Sequence, residues 1–552
     1  MWLMLPARSS IFRCTTLLCR RTAPFSTSIF AAAARRQKGR QPEEHEDKWN
    51  YNRSSLFNSS STNEDSTKFK LVTANDLERF THPPRSVKML VRDFIEDSLY
   101  NPNYGYFSKQ ATIFDWDKRP VEFSAIRDSA EFDAVVTERY AAYEVEKQLW
   151  HTPTELFKPW YGEAIAQCLV SEYLLKYFPY EDFVIYEIGA GNGTLAMNIL
   201  DFLRRHYPSV YDRTRYTIIE ISENLVQKQR QKLRRSHPGV NVIHKSIFHW
   251  DSREPAPCFF LAMEVVNTTE KAVLKQDNFA HDVVRYDLDT LQPYQGYITI
   301  DSEGEFDTMY TQLDDPLIGS FLDLRQKLGH PLPISRLFRN FPMARRLYRN
   351  LPFAANLSKE EYIPTRLLNL LRTLRNHFPR HRLLLSDFCS LSNTIPGVNA
   401  PVVQTRVQNT MVACETILVH QGAFDIFFPT NFEHLRDIYE CILSQPSTQP
   451  TQYPESQLIP DPIPDRSTPL APSVNSITLG ANFFSSHQSP SLNRRNPLDG
   501  VFSASGLPVG ERMSSVFKHS EFLETYADLS RTVLRNGENP MLDFYKNVKF
   551  LF

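Results

Sequence analysis

The sequence lacks net charge, membrane-length apolar runs and patterned cysteines. Its 62 basic and 63 acidic residues leave a formal net charge of −1, so there is no global positive field of the kind that attracts nucleic acid. No apolar run is long enough to span a bilayer. The seven cysteines form no C-x-x-C pair and no His/Cys cluster at metal-ligand spacing. We therefore expect a globular protein with no metal site, no transmembrane segment and no nucleic-acid partner.

Acidic residues are also missing from the start of the chain, where no Asp or Glu precedes Glu43. The same region is rich in Arg, Ser and Thr, which is typical of a mitochondrial transit peptide. We assign this role to residues 1–40; the alternative is a basic tail that binds an acidic partner. Residues 41–70 are polar and rich in Asn and Ser, and we predict a disordered linker there.

Composition and periodicity divide the rest of the chain into four parts. Residues 71–180 are predicted to form an N-terminal helical region, in which apolar residues recur at helical spacing over 87–99. Residues 181–440 alternate strand-like and helix-like patterns, with inserted segments. Residues 446–497 carry ten prolines and are predicted to be a disordered linker. Residues 498–552 are expected to form a C-terminal helical segment docked on the core, because the chain ends in a strongly apolar run.

The most informative stretch is 183–203, with the sequence FVIYEIGAGNGTLAMNILDFL. Its first six residues are the apolar, aromatic and β-branched run of a strand covered on both faces. Gly189, Gly191 and Gly193 follow, and then leucines and isoleucine at helical spacing. A glycine turn between a strand and a helix N-terminus brings free backbone N–H groups close to a ligand. The stretch therefore predicts a nucleotide-type pocket.

The spacing of the turn indicates which nucleotide. Thr194 occupies the position where a dinucleotide fold needs its third Gly or Ala, and no phosphate-binding Lys follows, so a nicotinamide oxidoreductase and a P-loop are disfavoured. The pattern G-x-G-x-G, preceded by Glu187, resembles the first motif of Rossmann-like S-adenosylmethionine-dependent methyltransferases. Glu220, at the end of the next predicted strand, is placed to accept hydrogen bonds from ribose hydroxyls. Asn192 belongs to the same turn, and Ser246 follows the third strand, where it either flanks the adenine or lies in an ordinary turn.

Further acids lie at the ends of the later predicted strands. Glu264 falls near the carboxyl end of the apolar run 259–265, and Asp387 follows the apolar run 383–385. A carboxylate at the carboxyl end of a strand needs a cation or water, which a substrate guanidinium or a local Arg or Lys supplies equally well. For Asp387 a helix cap is the alternative.

Several separate motifs in one order resemble the MidA-like methyltransferases, a mitochondrial group that includes an arginine methyltransferase acting in respiratory complex I assembly. The matching segments cover roughly residues 85–440: FIEDSLYNPNYGYF at 94–107, EIGAGNGTL at 187–195, IEIS at 219–222, EYIPT at 361–365, HRLLLSDF at 381–388 and FDIFFPT at 424–430. The family more often has Pro where Ala190 stands.

The resemblance implies an α/β, Rossmann-like S-adenosylmethionine-dependent methyltransferase fold with a mostly parallel, doubly wound sheet. It also implies a mitochondrial, matrix enzyme that methylates arginine on a protein, in the family's case a complex I subunit, with S-adenosyl-L-methionine as cofactor. Glu264, Asp277 and Asp387 would then hold the acceptor guanidinium by bidentate hydrogen bonds.

Two segments do not fit the family pattern or have a second interpretation. Residues 267–276 (NTTEKAVLKQ) separate Glu264 from Asp277, where relatives continue almost directly, so they are either a loop insertion or an error in the gene model. This departure leaves open an alternative function, a catalytically inactive assembly factor. Residues 324–350 are strongly basic, which indicates either an exposed helical face or a surface for an acidic partner.

Overall fold

The computed structural model describes residues 69–109, 111–113, 121–141, 148–150, 152–263, 280–352, 354–407, 410–444 and 514–552. The strands are β1 (Lys70–Leu71), β2 (Val87–Leu90), β3 (Ala111–Ile113), β4 (Gln148–Trp150), β5 (Phe183–Ile188), β6 (Thr214–Glu220), β7 (Asn241–His244), β8 (Cys258–Met263), β9 (Asp282–Tyr286), β10 (Pro293–Ile300), β11 (Phe306–Gln312), β12 (Glu361–Ile363), β13 (His381–Phe388), β14 (Val402–Val407), β15 (Thr410–Cys414), β16 (Asp425–Phe427), β17 (Val516–Lys518) and β18 (Val548–Leu551).

The helices are α1 (Ala74–Leu77), α2 (Val91–Tyr100), α3 (Tyr106–Lys109), α4 (Ser129–Ala141), α5 (Pro153–Leu156), α6 (Trp160–Lys176), α7 (Thr194–His206), α8 (Pro208–Tyr211), α9 (Glu223–Leu233), α10 (Pro316–Lys327), α11 (Arg336–Asn340), α12 (Pro342–Arg349), α13 (Thr365–His377), α14 (Phe432–Leu443), α15 (His519–Tyr526) and α16 (Pro540–Asp543). Short 3-10 turns lie at Phe123–Ala125, Ile247–His249 and Leu529–Arg531. Within this described part, no helix is both long and apolar enough to cross a membrane.

The main sheet has seven strands in the order β17-β18-β13-β8-β5-β6-β7. Strands β13, β8, β5, β6 and β7 are parallel neighbours, and β18 is antiparallel to both β13 and β17. The strand order reverses at β5, because the chain continues first to β6 and β7 on one side and then to β8 and β13 on the other. The predicted Rossmann-like, mostly parallel fold is confirmed, and β5 is the topological switch point at which ligands of such sheets bind.

Side chains alternate along each strand, so both faces of the main sheet are covered. Phe183 and Ile185 point to a core formed with α6, α7 and α15, whereas Val184 and Tyr186 point to a second core formed with α10, α13 and α14. All six residues of β5 are buried. This double cover explains the uninterrupted apolar run that marked β5 in the sequence.

A second sheet, of six strands, joins the N-terminal region to residues 282–363. Its order is β1-β2-β10-β9-β12, with β11 on the other side of β10. Residues 71–180 are therefore not only helical, because β1 to β4 lie within or at the edge of that region. The periodicity over 87–99 was read as one helix, but Val87–Leu90 pairs with β10 and the helix begins at Val91. Because β2 is buried on both faces, its apolar residues do not alternate strictly with polar ones, and their spacing also fits a helix.

The C-terminal region is not only helical, because it also contributes the strands β17 and β18 to the main sheet. β18 pairs with β13 over 548–551, and the ring of Phe550 stacks on Phe522 of α15 at 4.0 Å. The helix α15 ends at Tyr526. Residues 1–40, most of 41–70, and 446–497 lie outside the described residues.

Candidate functional site

The glycine turn joins β5 to α7 at the switch point of the main sheet. Gly189, Gly191 and Gly193 have φ angles of 65°, 52° and 70°, in the left-handed region that side chains with a Cβ adopt only at a cost. The N–H of Gly193 donates to the carbonyl of Ala190, which closes the turn at 2.8 Å. The predicted strand, turn and helix are thus observed in that order, and the turn lies against the N-terminus of α7, where backbone dipoles favour an anionic group.

Glu220 ends β6, the strand beside β5, and its carboxylate is buried. Its Oε1 accepts hydrogen bonds from the backbone N–H groups of Ile221 and Ser222 at 2.9 and 3.0 Å. Burial raises the pKa of Glu220, and these N–H donors oppose the rise. The carboxylate is therefore held in a fixed orientation at the carboxyl edge of the sheet, as the sequence predicts for a ribose-binding acid.

Gln229 of α9 links this carboxylate to the glycine turn. Its Nε2 donates to the carbonyl of Gly191 at 2.8 Å and to Oε2 of Glu220 at 3.0 Å. The Gly191 carbonyl and the Glu220 carboxylate thus both accept from one amide group, and the same two acceptors also suit a ligand with adjacent hydroxyls. The contact shows that Glu220 faces the turn, and it means that a ribose would share or displace the Gln229 amide.

Two polar atoms beside the turn are buried without a hydrogen-bond partner among the described residues. They are Nδ2 of Asn192, a donor, and Oε1 of Gln229, an acceptor. Buried polar atoms are rarely left unsatisfied, so the Asn192 amide is a place for a ligand group, and the Gln229 amide is a group that a ligand on Glu220 would displace. Together with the left-handed glycines and the Glu220 carboxylate, they fit a ligand that carries both donors and acceptors, as S-adenosylmethionine does.

Glu187 lies behind the turn, in β5. Its Oε2 accepts the hydroxyl of Tyr216 at 2.7 Å, and burial together with the nearby Glu220 carboxylate raises the pKa of Glu187 to about 7. A buried carboxylate beside another acid is stabilised in its charged form by a cation. An ammonium or sulfonium group of a bound ligand would supply that cation.

Ser246 lies close to Glu220. The N–H of Lys245 donates to the backbone carbonyl of Glu220 at 3.0 Å, and Ser246 caps the following 3-10 turn by accepting the N–H of Phe248 at 3.2 Å. Ser246 thus makes the hydrogen bond of an ordinary turn and lies at the same carboxyl edge of the sheet as Glu220. The adenine contact and the ordinary turn both stay predictions.

Asp387 is two strands away from the turn, near the end of β13. Ser386 pairs with Met263, the last residue of β8, so Asp387 lies at the carboxyl edge of the sheet, roughly 10 Å from β5 by strand spacing. Its carboxylate is buried, accepts the hydroxyl of Thr430, and has its pKa raised to about 7 by burial. Glu264, Asp277 and the segment 267–276 lie outside the described residues.

Two residues near the turn were missed from the sequence. Buried Glu155 of α5 accepts the Thr194 hydroxyl at the start of α7 and pairs with Lys158 at 2.9 Å. Nothing in its local sequence distinguishes Glu155, since only the fold brings α5 to α7. Gln229 did leave a signal: it falls on the apolar face of α9 with Leu225 and Leu233, where a polar residue needs a partner.

A cleft lies between α10, α13 and α14, and it encloses about 750 Å³ of space, open solvent included. Its lining includes Thr430, the partner of Asp387, and His281. It also includes His330 and Arg325, and Arg325 is paired with Glu361 at 2.7 Å. Through Thr430, the lining of this mostly apolar cleft adjoins Asp387.

Comparisons with known proteins agree with this geometry. A family model described as "Putative S-adenosyl-L-methionine-dependent methyltransferase" matches residues 164–449. A protein of Schizosaccharomyces pombe named "Protein arginine methyltransferase NDUFAF7 homolog, mitochondrial" is 25% identical over 334 residues, which are 58% of this chain and 67% of the relative. The protein of the same name from Saccharomyces cerevisiae is 21% identical over 393 residues, or 69% and 83% of the two chains.

Among solved structures, a superfamily member from Burkholderia thailandensis bound to S-adenosyl-homocysteine is 14% identical, covers 67% of this chain and 74% of that chain, and gives a TM-score of 0.37. The native form of a protein of the same superfamily and organism gives 0.39 at 13% identity and the same coverage. The match of the family model over more than half of the chain is what identifies it: the chain belongs to the S-adenosyl-L-methionine-dependent methyltransferase family, whose cofactor is S-adenosyl-L-methionine.

Proposed function

We propose that this protein transfers a methyl group from S-adenosylmethionine to an arginine side chain of a mitochondrial protein, as a step linked to respiratory complex I assembly. The observation that carries the proposal is the left-handed glycine turn at the switch point, with the carboxylates of Glu187 and Glu220 beside it. The names of the two yeast relatives support the arginine acceptor and the mitochondrial location. A matrix location and a complex I subunit as acceptor are the finer parts of the same proposal.

The cofactor side of the site follows from the chemistry of its groups. The N–H groups of Gly189 and Gly193 hold the turn itself, by donating to the carbonyls of Ile219 and Ala190. The backbone N–H of Gly191 would face the carboxylate of the ligand, and Glu187 would stabilise its ammonium. Glu220 would accept the ribose hydroxyls, with Asn192 and Ser246 completing the polar contacts. When bound, the cofactor supplies an electrophilic methyl group on a sulfonium.

The acceptor side needs positioning more than acid or base strength. Methyl transfer to nitrogen is an in-line displacement, so most of the rate comes from aligning donor and acceptor. Asp387, oriented by the Thr430 hydroxyl, would hold a guanidinium by paired hydrogen bonds. Because the nitrogen loses one proton as the N–C bond forms, a carboxylate whose pKa is raised to about 7 can also accept that proton. Glu264 and Asp277 remain part of this proposed clamp.

The test is transfer of labelled methyl groups to extracts of mitochondria that lack this protein. The wild-type enzyme is expected to label a protein on arginine, and Gly191→Val, Glu264→Gln and Asp387→Asn are expected to abolish or strongly reduce the label. Gly319→Ala is a matched control, because a Cβ added at Gly319 meets nothing within 4 Å. Equal labelling by the wild type and all three variants would overturn the assignment.

One contact favours the alternative of a catalytically inactive assembly factor. The Gln229 amide already donates to the Gly191 carbonyl and the Glu220 carboxylate, and it therefore closes part of the space that a ribose would enter. Calorimetric titration separates the two functions. Cofactor binding with methyl transfer supports the enzyme, whereas absence of binding, or binding with no transferable label, supports the assembly factor.

A further inference from the structure

The surface formed by α11, α12 and Leu351 exposes an unusual amount of apolar area. We name residues 336–351 the arginine hairpin. Five large apolar side chains of the hairpin are more than half exposed: Leu337 56%, Phe341 59%, Met343 78%, Leu347 70% and Leu351 57%. Elsewhere in the described residues, six large apolar side chains are exposed: two are isolated, at Leu71 and Phe80, and four lie at 174–180, where the exposed fractions of Leu174 and Phe178 are only 37%. Such a concentration on one short segment marks an interaction site.

The hairpin is also strongly basic. Its arginines are Arg336, Arg339, Arg345, Arg346 and Arg349. No acidic residue occurs between Asp323 and Glu360, although the whole chain has a net charge of only −1. In the described part of the chain, Arg349 has an ion-pair partner, Asp289 at 2.7 Å, whereas Arg336 and Arg346 have none. The hairpin therefore presents a local positive field next to its exposed apolar side chains.

The arrangement of the two helices keeps these side chains outward. The rings of Phe338 and Tyr348 pack at 4.9 Å and join α11 to α12. Arg345 donates to the carbonyl of Phe338 at 2.7 Å, which ties the hairpin turn together. At 100° per residue, Met343 and Leu347 share one face of α12, and Tyr348 faces α11.

Arg346 lies at the margin of the exposed face of α12, next to Met343 in the helical projection. An apolar strip with arginine at its edge is the pattern of helices that lie in the plane of a bilayer surface. The apolar side chains enter the acyl boundary, and the arginines extend to the lipid phosphates.

We propose that the arginine hairpin is a peripheral docking site for a bilayer that contains anionic phospholipid. Charge complementarity selects this occupant, because the unpaired guanidinium groups match phosphate geometry and there is no acid in the surrounding segment. A protein partner would need a groove shaped to the protruding Met343 and Leu347, whereas a bilayer accepts such side chains without one. This inference is independent of the methyl-transfer proposal, and its test does not use enzymatic activity.

The experiment is co-sedimentation of the full chain with vesicles of phosphatidylcholine alone or with about one third phosphatidylglycerol. The protein is expected to bind the anionic vesicles and to be released as salt rises. The double variant Arg336→Gln with Arg346→Gln should bind anionic vesicles roughly 25-fold more weakly, because each arginine contributes a factor of about five to the affinity. Met343→Ser with Leu347→Ser should weaken it by about tenfold or more, since partial burial of two apolar side chains is lost.

Matched controls lie on exposed helical surfaces elsewhere. Leu175→Ser removes a leucine that is 75% exposed on α6, and Arg234→Gln with Arg235→Gln removes two exposed arginines at the end of α9. Both should bind vesicles like the wild type. Failure of the wild type to bind anionic vesicles, or equal weakening by test and control variants, would overturn the proposal. A change of oligomeric state in Met343→Ser with Leu347→Ser, without a change in vesicle binding, would instead assign the surface to a second copy of the chain.

Discussion

At the scale of single residues, the titration of Glu187 makes the charge of the ligand measurable. Burial raises the pKa of Glu187 to about 7, so the carboxyl is largely protonated below that pH in the free protein. A cationic ligand group stabilises the ionised form and therefore displaces the proton when it binds. We predict that cofactor affinity rises between about pH 6 and about pH 8, by up to roughly tenfold per pH unit below the pKa, with release of a proton.

The raised pKa of Glu187 affects the stability of the free protein in the opposite direction: cofactor affinity rises with pH, whereas this contribution to stability falls. Because the folded pKa of Glu187 lies above its ordinary value of 4.5, the protonated group contributes stability at low pH that is lost as the pH rises through 7.

Calorimetry in buffers of different ionisation enthalpy measures the proton that is released when the cofactor binds. Glu187→Gln should flatten the pH dependence of binding; a pH profile that is the same in this variant as in the wild type would contradict the proposed role.

Gln229 gives a second prediction at the residue scale. Gln229→Ala removes the only side-chain amide that the described residues place between Gly191 and Glu220, so the free protein should lose about 1–2 kcal/mol of stability. A ligand with hydroxyls would then meet less competition, and the rise in melting temperature on cofactor addition should be larger than in the wild type. Gln227→Ala, at an exposed position on the same helix, is the control. A smaller ligand-induced shift would show that the amide belongs to the binding site.

The positions of the candidate cofactor-side residues in the fold could be predicted from the sequence, because each is tied to a strand end. Glu187, the glycines and Glu220 are within or directly after β5 and β6, whose apolar runs are unmistakable. Glu155 could not be found, since its role depends on the packing of α5 against α7. Asp387 lies near the end of a buried strand, as predicted, and its carboxylate accepts the Thr430 hydroxyl.

At the scale of elements, an ion-pair cluster fastens α2 to the second sheet and to α10. Arg92 contacts Asp282 at 2.8 Å and Asp315 at 2.5 Å, and Asp282 is fully buried. The Asp282 carboxylate has its pKa raised by burial, opposed chiefly by Arg92. Without the Arg92 guanidinium, the charge of Asp282 would be left in the interior with two neutral partners among these contacts, the Thr365 hydroxyl and the backbone N–H of residue 92 at 3.4 Å.

We therefore predict that Arg92→Met destabilises the protein by about 3–5 kcal/mol, as expected when one partner of a buried ion pair is removed. Lys176→Met is the surface control, because Lys176 is half exposed in its pair with Glu172 and should cost less than about 1 kcal/mol. Urea unfolding of the two variants makes the comparison. Similar losses in both would mean that the Arg92 cluster adds nothing beyond an ordinary surface pair.

Elements with one strong periodicity were predicted well, and those defined by long-range pairing were not. The apolar spacing over 161–177 and 367–378 is typical of helices, and these segments form the helices Trp160–Lys176 and Thr365–His377. By contrast, Val87–Leu90 is a strand because it pairs with β10, some two hundred residues later in the chain. No local pattern reports such a partner, which is why a single helix was expected over 87–99.

At the scale of the whole molecule, the C-terminal strands complete the main sheet. Phe550 of β18 is fully buried, stacks on Phe522 and belongs to the same core as β5. We predict that Phe550→Ala lowers stability by about 3–5 kcal/mol, because it leaves a cavity beneath the sheet. Leu175→Ala, at an exposed position, should change stability by less than about 0.5 kcal/mol. Thermal unfolding of both variants measures the difference, and a Phe550→Ala variant as stable as the wild type would mean that this end of the chain is not part of the cooperative core.

The central claim is that the glycine turn at the switch point binds S-adenosylmethionine. Its most direct test is calorimetric titration of the full chain with S-adenosylmethionine, for the wild type, Gly191→Val and Gly319→Ala. Gly191 has a φ of 52°, so a valine there is strained and places side-chain atoms where the ligand must approach, whereas Gly319 lies in open space on α10. We predict saturable binding to one site in the wild type and in Gly319→Ala, and none in Gly191→Val. Absence of binding in the wild type, or equal binding in folded Gly191→Val, would contradict it.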